Sequence, residues 1–213
     1  MVEFIKKKVE VEEPDARQVW RRGEACRDRF DLGRFNVFFI GLRGSGKTTL
    51  AREVSARLGA EYRDTDLLVQ DRSGQTISDL VRIKGWEAFR DLEQEVLADL
   101  CGQSGQVVAT GGGIVLRSQN RELLKDRGRV FYLMANPPLL ASRLRQQDTD
   151  HRPDLTGLPL EQELSQTLQE REPLYYETLH FILQADTSVD ELCDSVLTAL
   201  GLKSPDDSGS ASW

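Results

Sequence analysis

Nine residues constrain this chain more than any others. Gly41-Leu42-Arg43-Gly44-Ser45-Gly46-Lys47-Thr48-Thr49 matches G-x-x-x-x-G-K-[ST] and lies between an apolar run, NVFFI at 36–40, and an amphipathic helical pattern at 48–58. A glycine-rich loop in that setting turns its backbone N–H groups inward, and the helix behind it adds the positive end of its dipole. Gly44, Ser45, Gly46, Lys47, Thr48 and Thr49 then form a cradle for phosphate oxygens. Lys47 is placed to reach the β and γ oxygens of a nucleoside triphosphate, and the Thr48 hydroxyl to ligate Mg²⁺.

Strand character recurs at 107–110 (VVAT), 130–134 (VFYLM) and 180–183 (HFIL), with a weaker strand at 60–63 leading into Asp64. Helical patterns are expected at 77–84, 87–100, 118–125, 138–145, 160–170 and 189–200. Strands alternating with helices predict an α/β fold, a parallel sheet covered on both faces. A length of 213 residues suits one such domain, here 35–202. Residues 1–34 form a charge-rich N-terminal extension that admits a helix over 14–29, and 203–213 (KSPDDSGSASW) has the composition of a disordered tail.

Composition narrows the function classes. Lys and Arg number 28 against 35 Asp and Glu, a net charge of −7, which argues against a nucleic-acid or anionic-membrane binder. At 39% hydrophobic residues the chain has too much apolar content to be disordered. No segment reaches the ~20 apolar residues of a membrane span and none reads as a signal peptide, so the cytoplasm is the expected compartment. Cys26, Cys101 and Cys193 are far apart, and His151 and His180 are the only histidines, so neither a disulfide framework nor a thiolate or imidazole metal site is expected.

A guanine-reading Asn-Lys-x-Asp is absent, and Asp71-Arg72-Ser73-Gly74 imitates D-x-x-G without following a strand, which discounts a GTPase switch. In an ATPase motor the VVAT strand would end in a carboxylate; here it ends in Gly111-Gly112-Gly113. Those glycines either let backbone approach a ligand closely or form a flexible turn. Asp64-Thr65-Asp66 follows the weaker strand, and on an extended segment both carboxylates point to one side, one for magnesium and one to accept a proton. Helix capping is the alternative for Asp66. Arg90 and Glu93 share a helix face, either as a solvated ion pair or with Glu93 aiming the Arg90 fork at a carboxylate.

GLRGSGKTT, DTD, GWEAFRDLE, ATGGG, HRPDLTG and EREPLY occur in the order and approximate spacing found in shikimate kinases, and the resemblance covers about 36–202. GWEAFR with HRPDLTG resembles most the bacterial isoform that carries Trp in the substrate domain. The resemblance implies a three-layer α/β/α P-loop kinase fold with a central five-stranded parallel sheet, a substrate-binding region at about 64–97 and a lid at about 143–159. It also implies transfer of the ATP γ-phosphoryl group to the 3-hydroxyl of shikimate, in aromatic amino-acid biosynthesis. By residue, it assigns Lys47 to the phosphates, Thr48 and Asp64 to Mg²⁺, Asp66 to the ring hydroxyls as candidate base, and Arg90 and Arg171 to the shikimate carboxylate. Gly111, Gly112 and Gly113 would lie against the ring. Arg152 would swing from the lid onto the ATP phosphates, and Arg145 would reach the adenine. Pro173 is expected to break or kink the helix at Arg171. The implied partners are ATP and shikimate, with neither nucleic acid nor membrane, and a monomer is expected. A gluconate or nucleoside monophosphate kinase, or a nucleotide-binding regulator without catalysis, are the alternatives.

Overall fold

In the computed structural model residues 20–21, 31–146 and 159–202 are described. NVFFI is the axis of the fold: β2 (Asn36–Ile40) is buried at all five positions. A strand covered on both faces must be apolar throughout rather than alternating. The two-residue β1 (Trp20–Arg21) precedes it, and β3 (Glu61–Asp64), β4 (Gln106–Ala109), β5 (Gly128–Met134) and β6 (Phe181–Gln184) follow. The sheet order is β1-β6-β5-β2-β4-β3, with β3 through β6 and β2 parallel and β1 antiparallel at the edge. The expected five-stranded parallel sheet is therefore present, with one short strand added beside β6.

The chain runs outward from β2 to β3, returns to β4, then crosses to β5 and β6 on the other side. Right-handed crossovers put helices on opposite faces when the direction reverses. Accordingly α1 (Lys47–Leu58) packs with α7 (Val189–Ala199), while α4 (Ser118–Arg127) packs with α3 (Ile77–Cys101) and α6 (Leu160–Thr178). The reversal leaves a crevice at the carboxyl ends of β2 and β4, where a ligand site belongs. α2 (Thr65–Ser73) and α5 (Pro137–Gln146) border it.

Three expectations need correction. Asp64-Thr65-Asp66 is not an extended segment: β3 ends at Asp64, which caps α2 by accepting from the N–H groups of Asp66 (3.0 Å) and Leu67 (3.4 Å). The break expected between the helices at 77–84 and 87–100 is, by contrast, present: α3 is kinked at Gly85, whose non-helical φ of 84° and ψ of 170° only glycine adopts readily. Pro173 does not end its helix, which continues to Thr178. It removes only its own N–H bond to the preceding turn, and the Tyr175 and Thr178 that follow are fully buried. Trp20 and Arg21, within the stretch that admitted a helix, pair instead with Ile182 and Phe181. The rest of 14–29, positions 147–158 of the lid expected at about 143–159, and the tail at 203–213 lie outside the described residues.

Candidate active site

The cradle forms as its motif requires. Gly44 and Gly46 take φ of 79° and 99°, turning the loop so that α1 starts at Lys47. Lys47 is 8% exposed, and its ammonium lies over the loop, donating to the Leu42 carbonyl at 2.7 Å and the Ser45 hydroxyl at 3.4 Å. Thr48 Oγ1 donates to Asp64 Oδ2 at 3.2 Å, and the Tyr62 hydroxyl donates to the same oxygen at 3.0 Å. Asp64 thus holds α2 with one oxygen and faces Thr48 with the other. Gly44, Gly46, Thr48, Thr49, Asp64 and Asp66 line one pocket with Lys47, while Ser45 sits buried beneath. Both carboxylates thus border this pocket, delivered by a helix start rather than by a strand.

A second pocket adjoins the first, lined by Asp66, Arg90, Gly111, Gly112, Gly113 and Arg171 together with Trp86 and Phe89. Arg90 and Glu93, 9% and 1% exposed, are not a solvated surface pair: Nη1 meets Glu93 Oε2 at 2.5 Å. The guanidinium also lies 4.8 Å from the Phe89 ring centre and 5.4 Å from that of Trp86, which restrains its plane further. Burial pushes the Glu93 carboxyl above the usual range, and the Arg90 charge pulls it back. The bend at Gly85 delivers this group, since it re-aims α3 immediately before Trp86.

Gly111-Gly112-Gly113 is a close-packed wall, not a flexible turn. Gly111 N–H donates to Thr65 Oγ1 at 2.9 Å. The Gly112 carbonyl accepts from Arg171 Nη1 at 3.1 Å and from the Tyr175 hydroxyl at 2.6 Å. A β-carbon on Gly113 would fall within 2.2 Å of Arg90 Nη2. Tyr175, fully buried with its phenol pushed up by burial, was not singled out in the sequence; its place one helical turn after Arg171 is the signal that could have found it.

Of the remaining assignments, Arg145 lies on the surface, 63% exposed at its side chain and paired with Glu161 at 3.1 Å. Arg143, two residues earlier, is the arginine that reaches the cradle, donating to the Ser45 carbonyl at 3.1 Å and the Ala185 carbonyl at 2.6 Å. The i, i+2 offset places the two on different faces of α5. Arg152 lies outside the described residues. Cys101 and Cys193 are buried free thiols whose pKa values burial raises to about 12 and about 11, so neither is a nucleophile at neutral pH. Among the described residues no three His, Cys, Asp or Glu side chains come together as a metal cluster, and no helix is long and apolar enough to cross a membrane.

The sequence profile of the shikimate kinase family matches residues 43–201. Shikimate kinase 2 of Dickeya chrysanthemi is 44% identical over 150 residues, covering 70% of this chain and 86% of the relative. Among solved structures, shikimate kinase from Acinetobacter baumannii in complex with shikimate superposes with a TM-score of 0.74 at 33% identity, covering 78% of this chain and 93% of that one. A gluconokinase from Sinorhizobium meliloti reaches only 0.51 at 16% identity over 80% of this chain and 94% of its own, a likeness of fold alone. A phosphate cradle opening onto a pocket with three arginines, together with matches that span most of both chains, shows that this chain belongs to the shikimate kinase family.

Proposed function

We propose that the chain transfers the γ-phosphoryl group of ATP to the 3-hydroxyl of shikimate, giving shikimate 3-phosphate and ADP. The observation that carries this reading is Asp66, which borders both the phosphate cradle and the arginine-bearing pocket and so stands where a hydroxyl would meet the terminal phosphate. Arg90 and Arg171 take the shikimate carboxylate, the first aimed by Glu93 and the second anchored on Gly112. The backbone at Gly111, Gly112 and Gly113 lies against the ring. Asp66 orients the hydroxyl and accepts its proton, a modest demand if the transition state is loose.

On the donor side Gly44, Ser45, Gly46 and Thr49 contribute backbone N–H groups, and Lys47 balances charge on the β and γ oxygens. Thr48 and Asp64 offer only oxygens at the mouth of the cradle, the donor set Mg²⁺ favours when phosphates complete its shell. Thr48 and Asp64 would hold such an ion, directly and through water respectively, and it would there neutralise charge spreading over the phosphates. Arg143 takes the nucleotide-side role that the family resemblance assigns to Arg145, because it already spans the cradle and Ala185. Arg152, from the lid, closes over the phosphates and excludes competing water.

The net charge of −7 disfavours nucleic acid and anionic membranes, and we propose a monomer that works in the cytoplasm. ATP consumption measured with shikimate, gluconate and AMP tests the function. Turnover is expected with shikimate; none with shikimate, or a preference for either rival, overturns the reading.

A further inference from the structure

Arg43, the second variable residue of the phosphate loop, shares one property with Asp66 alone: it lines both the cradle and the acceptor pocket. Its Nη2 is ion-paired to Oε1 of Glu163. Glu163 is 1% exposed and lies in the first turn of α6, where the helix dipole also favours a carboxylate. Arg43 Nε is buried and makes no hydrogen bond among the described residues. One end of the fork is therefore tied to a fixed carboxylate, the side chain borders both anion sites, and its Nε is buried without a partner among the described residues. An unmade hydrogen bond on a buried donor is unfavourable, and native structures rarely keep one without a use.

We propose that Arg43 contacts the transferring phosphoryl group as it passes between the two pockets, and that Glu163 is the positioning residue that aims it. This rests on the reaction proposed above. The shikimate hydroxyl oxygen bonds to the γ-phosphorus, the bond from that phosphorus to the β,γ-bridging oxygen breaks, ADP leaves with the electron pair, and the hydroxyl proton passes to Asp66. During transfer the phosphoryl oxygens leave the cradle, where Lys47 meets them, and cross the seam, where Arg43 does. A guanidinium already fixed by Glu163 needs no reorganisation to meet them. A lysine at that position would keep the charge and lose both the fork and the Nε donor.

The test compares wild type, Arg43→Lys, Glu163→Gln and the double variant in steady state. Each single change is expected to lower kcat roughly tenfold or more while KM for ATP and for shikimate stays within about threefold, the signature of an interaction made in the transition state. The double variant should be no slower than the slower single, because both changes remove one device. ADP with aluminium fluoride and shikimate, a mimic of the planar phosphoryl group, should bind more weakly to the variants by a similar factor, with ADP alone unaffected. If the pair only tied the loop to α6, the variants would melt earlier yet turn over at the wild-type rate at a temperature where they remain folded. That result, or raised KM with intact kcat, overturns the proposal. A wild type that fails to turn over shikimate overturns the reaction itself, a failure seen before any variant is made.

Discussion

A methyl group on Gly113 would lie 2.2 Å from Arg90 Nη2 and 2.4 Å from Nη1, distances no packed structure tolerates. The clash falls on the end of a side chain rather than on backbone, so the fold can survive it by moving Arg90. Arg90 is nevertheless held by Glu93 and two aromatic rings, and it cannot move without leaving its aim. Gly113→Ala should therefore fold, bind ATP normally and raise KM for shikimate by roughly tenfold or more, the value of a lost charge-assisted contact; an unchanged KM would contradict the role of Arg90. Asp66→Asn keeps the shape of the seam and removes the proton acceptor. It should lower kcat by about 10²-fold with ATP affinity nearly unchanged, and wild-type turnover would exclude Asp66 as the base. The residues legible in the sequence were those written in contiguous motifs, namely the cradle, Arg90 with Glu93, and the run of three glycines, although the partners of those glycines lie far along the chain. Arg43 with Glu163 and Arg143 with Ala185 join positions 120 and 42 apart, and no periodicity in a single chain records such pairings.

At the scale of elements the same division holds. β3 (EYRD) has no fully buried position and read only as a weaker strand, whereas β2, β4 and β5 were legible to within a residue or two because each is a short, largely buried apolar run. α2 was not, because TDLLVQDRS fully buries only Thr65 and Val69 and so shows no apolar stripe. Its start is written in capping chemistry instead, with Asp64 holding two N–H groups. The break between 77–84 and 87–100 was legible, since Gly85 interrupts the apolar pattern and its non-helical φ and ψ separate two helical segments. A β-carbon at Gly85 would meet nothing within 4 Å, so the demand for glycine there is one of backbone conformation alone. Gly85→Ala should cost roughly 1–3 kcal/mol in urea unfolding. It should also weaken shikimate binding, because relaxing the bend re-aims the turn that carries Trp86, Phe89 and Arg90. Emission from Trp86, in a protein lacking Trp20 and Trp213, reports that binding: wild type should change its spectrum on saturation with shikimate and the variant should need more ligand. Stability lost without any change in affinity would show that the bend serves the fold and not the pocket.

Over the whole molecule, an acidic chain builds a site for two anions by concentrating Lys47, Arg43, Arg90 and Arg171 around two adjoining pockets, so the net charge of −7 describes the surface and not the site. The fold's own response to pH is set elsewhere. His180 opens β6 beside β5: its N–H donates to the Val130 carbonyl at 2.8 Å, and its Nδ1 accepts from the Val130 N–H at 3.1 Å. An accepting Nδ1 requires a neutral ring, and burial, with Arg129 and Lys125 nearby, lowers its pKa to about 4 from the ordinary 6.5. Between those two values the unfolded chain binds a proton that the folded chain refuses, so stability is full above 6.5 and falls as pH drops toward 4. Allowing for the solvent that reaches the ring, wild type should lose about 1 to 2 kcal/mol from this group between pH 7 and pH 5. His180→Asn places an acceptor near the position of Nδ1 and does not titrate. Urea unfolding of the two proteins at both pH values isolates the effect, since every other titrating group cancels in the comparison. The stability difference between wild type and variant should shift toward the variant as pH falls; a difference independent of pH would mean that His180 is protonated in the folded protein, and the bond from Val130 could not then be made.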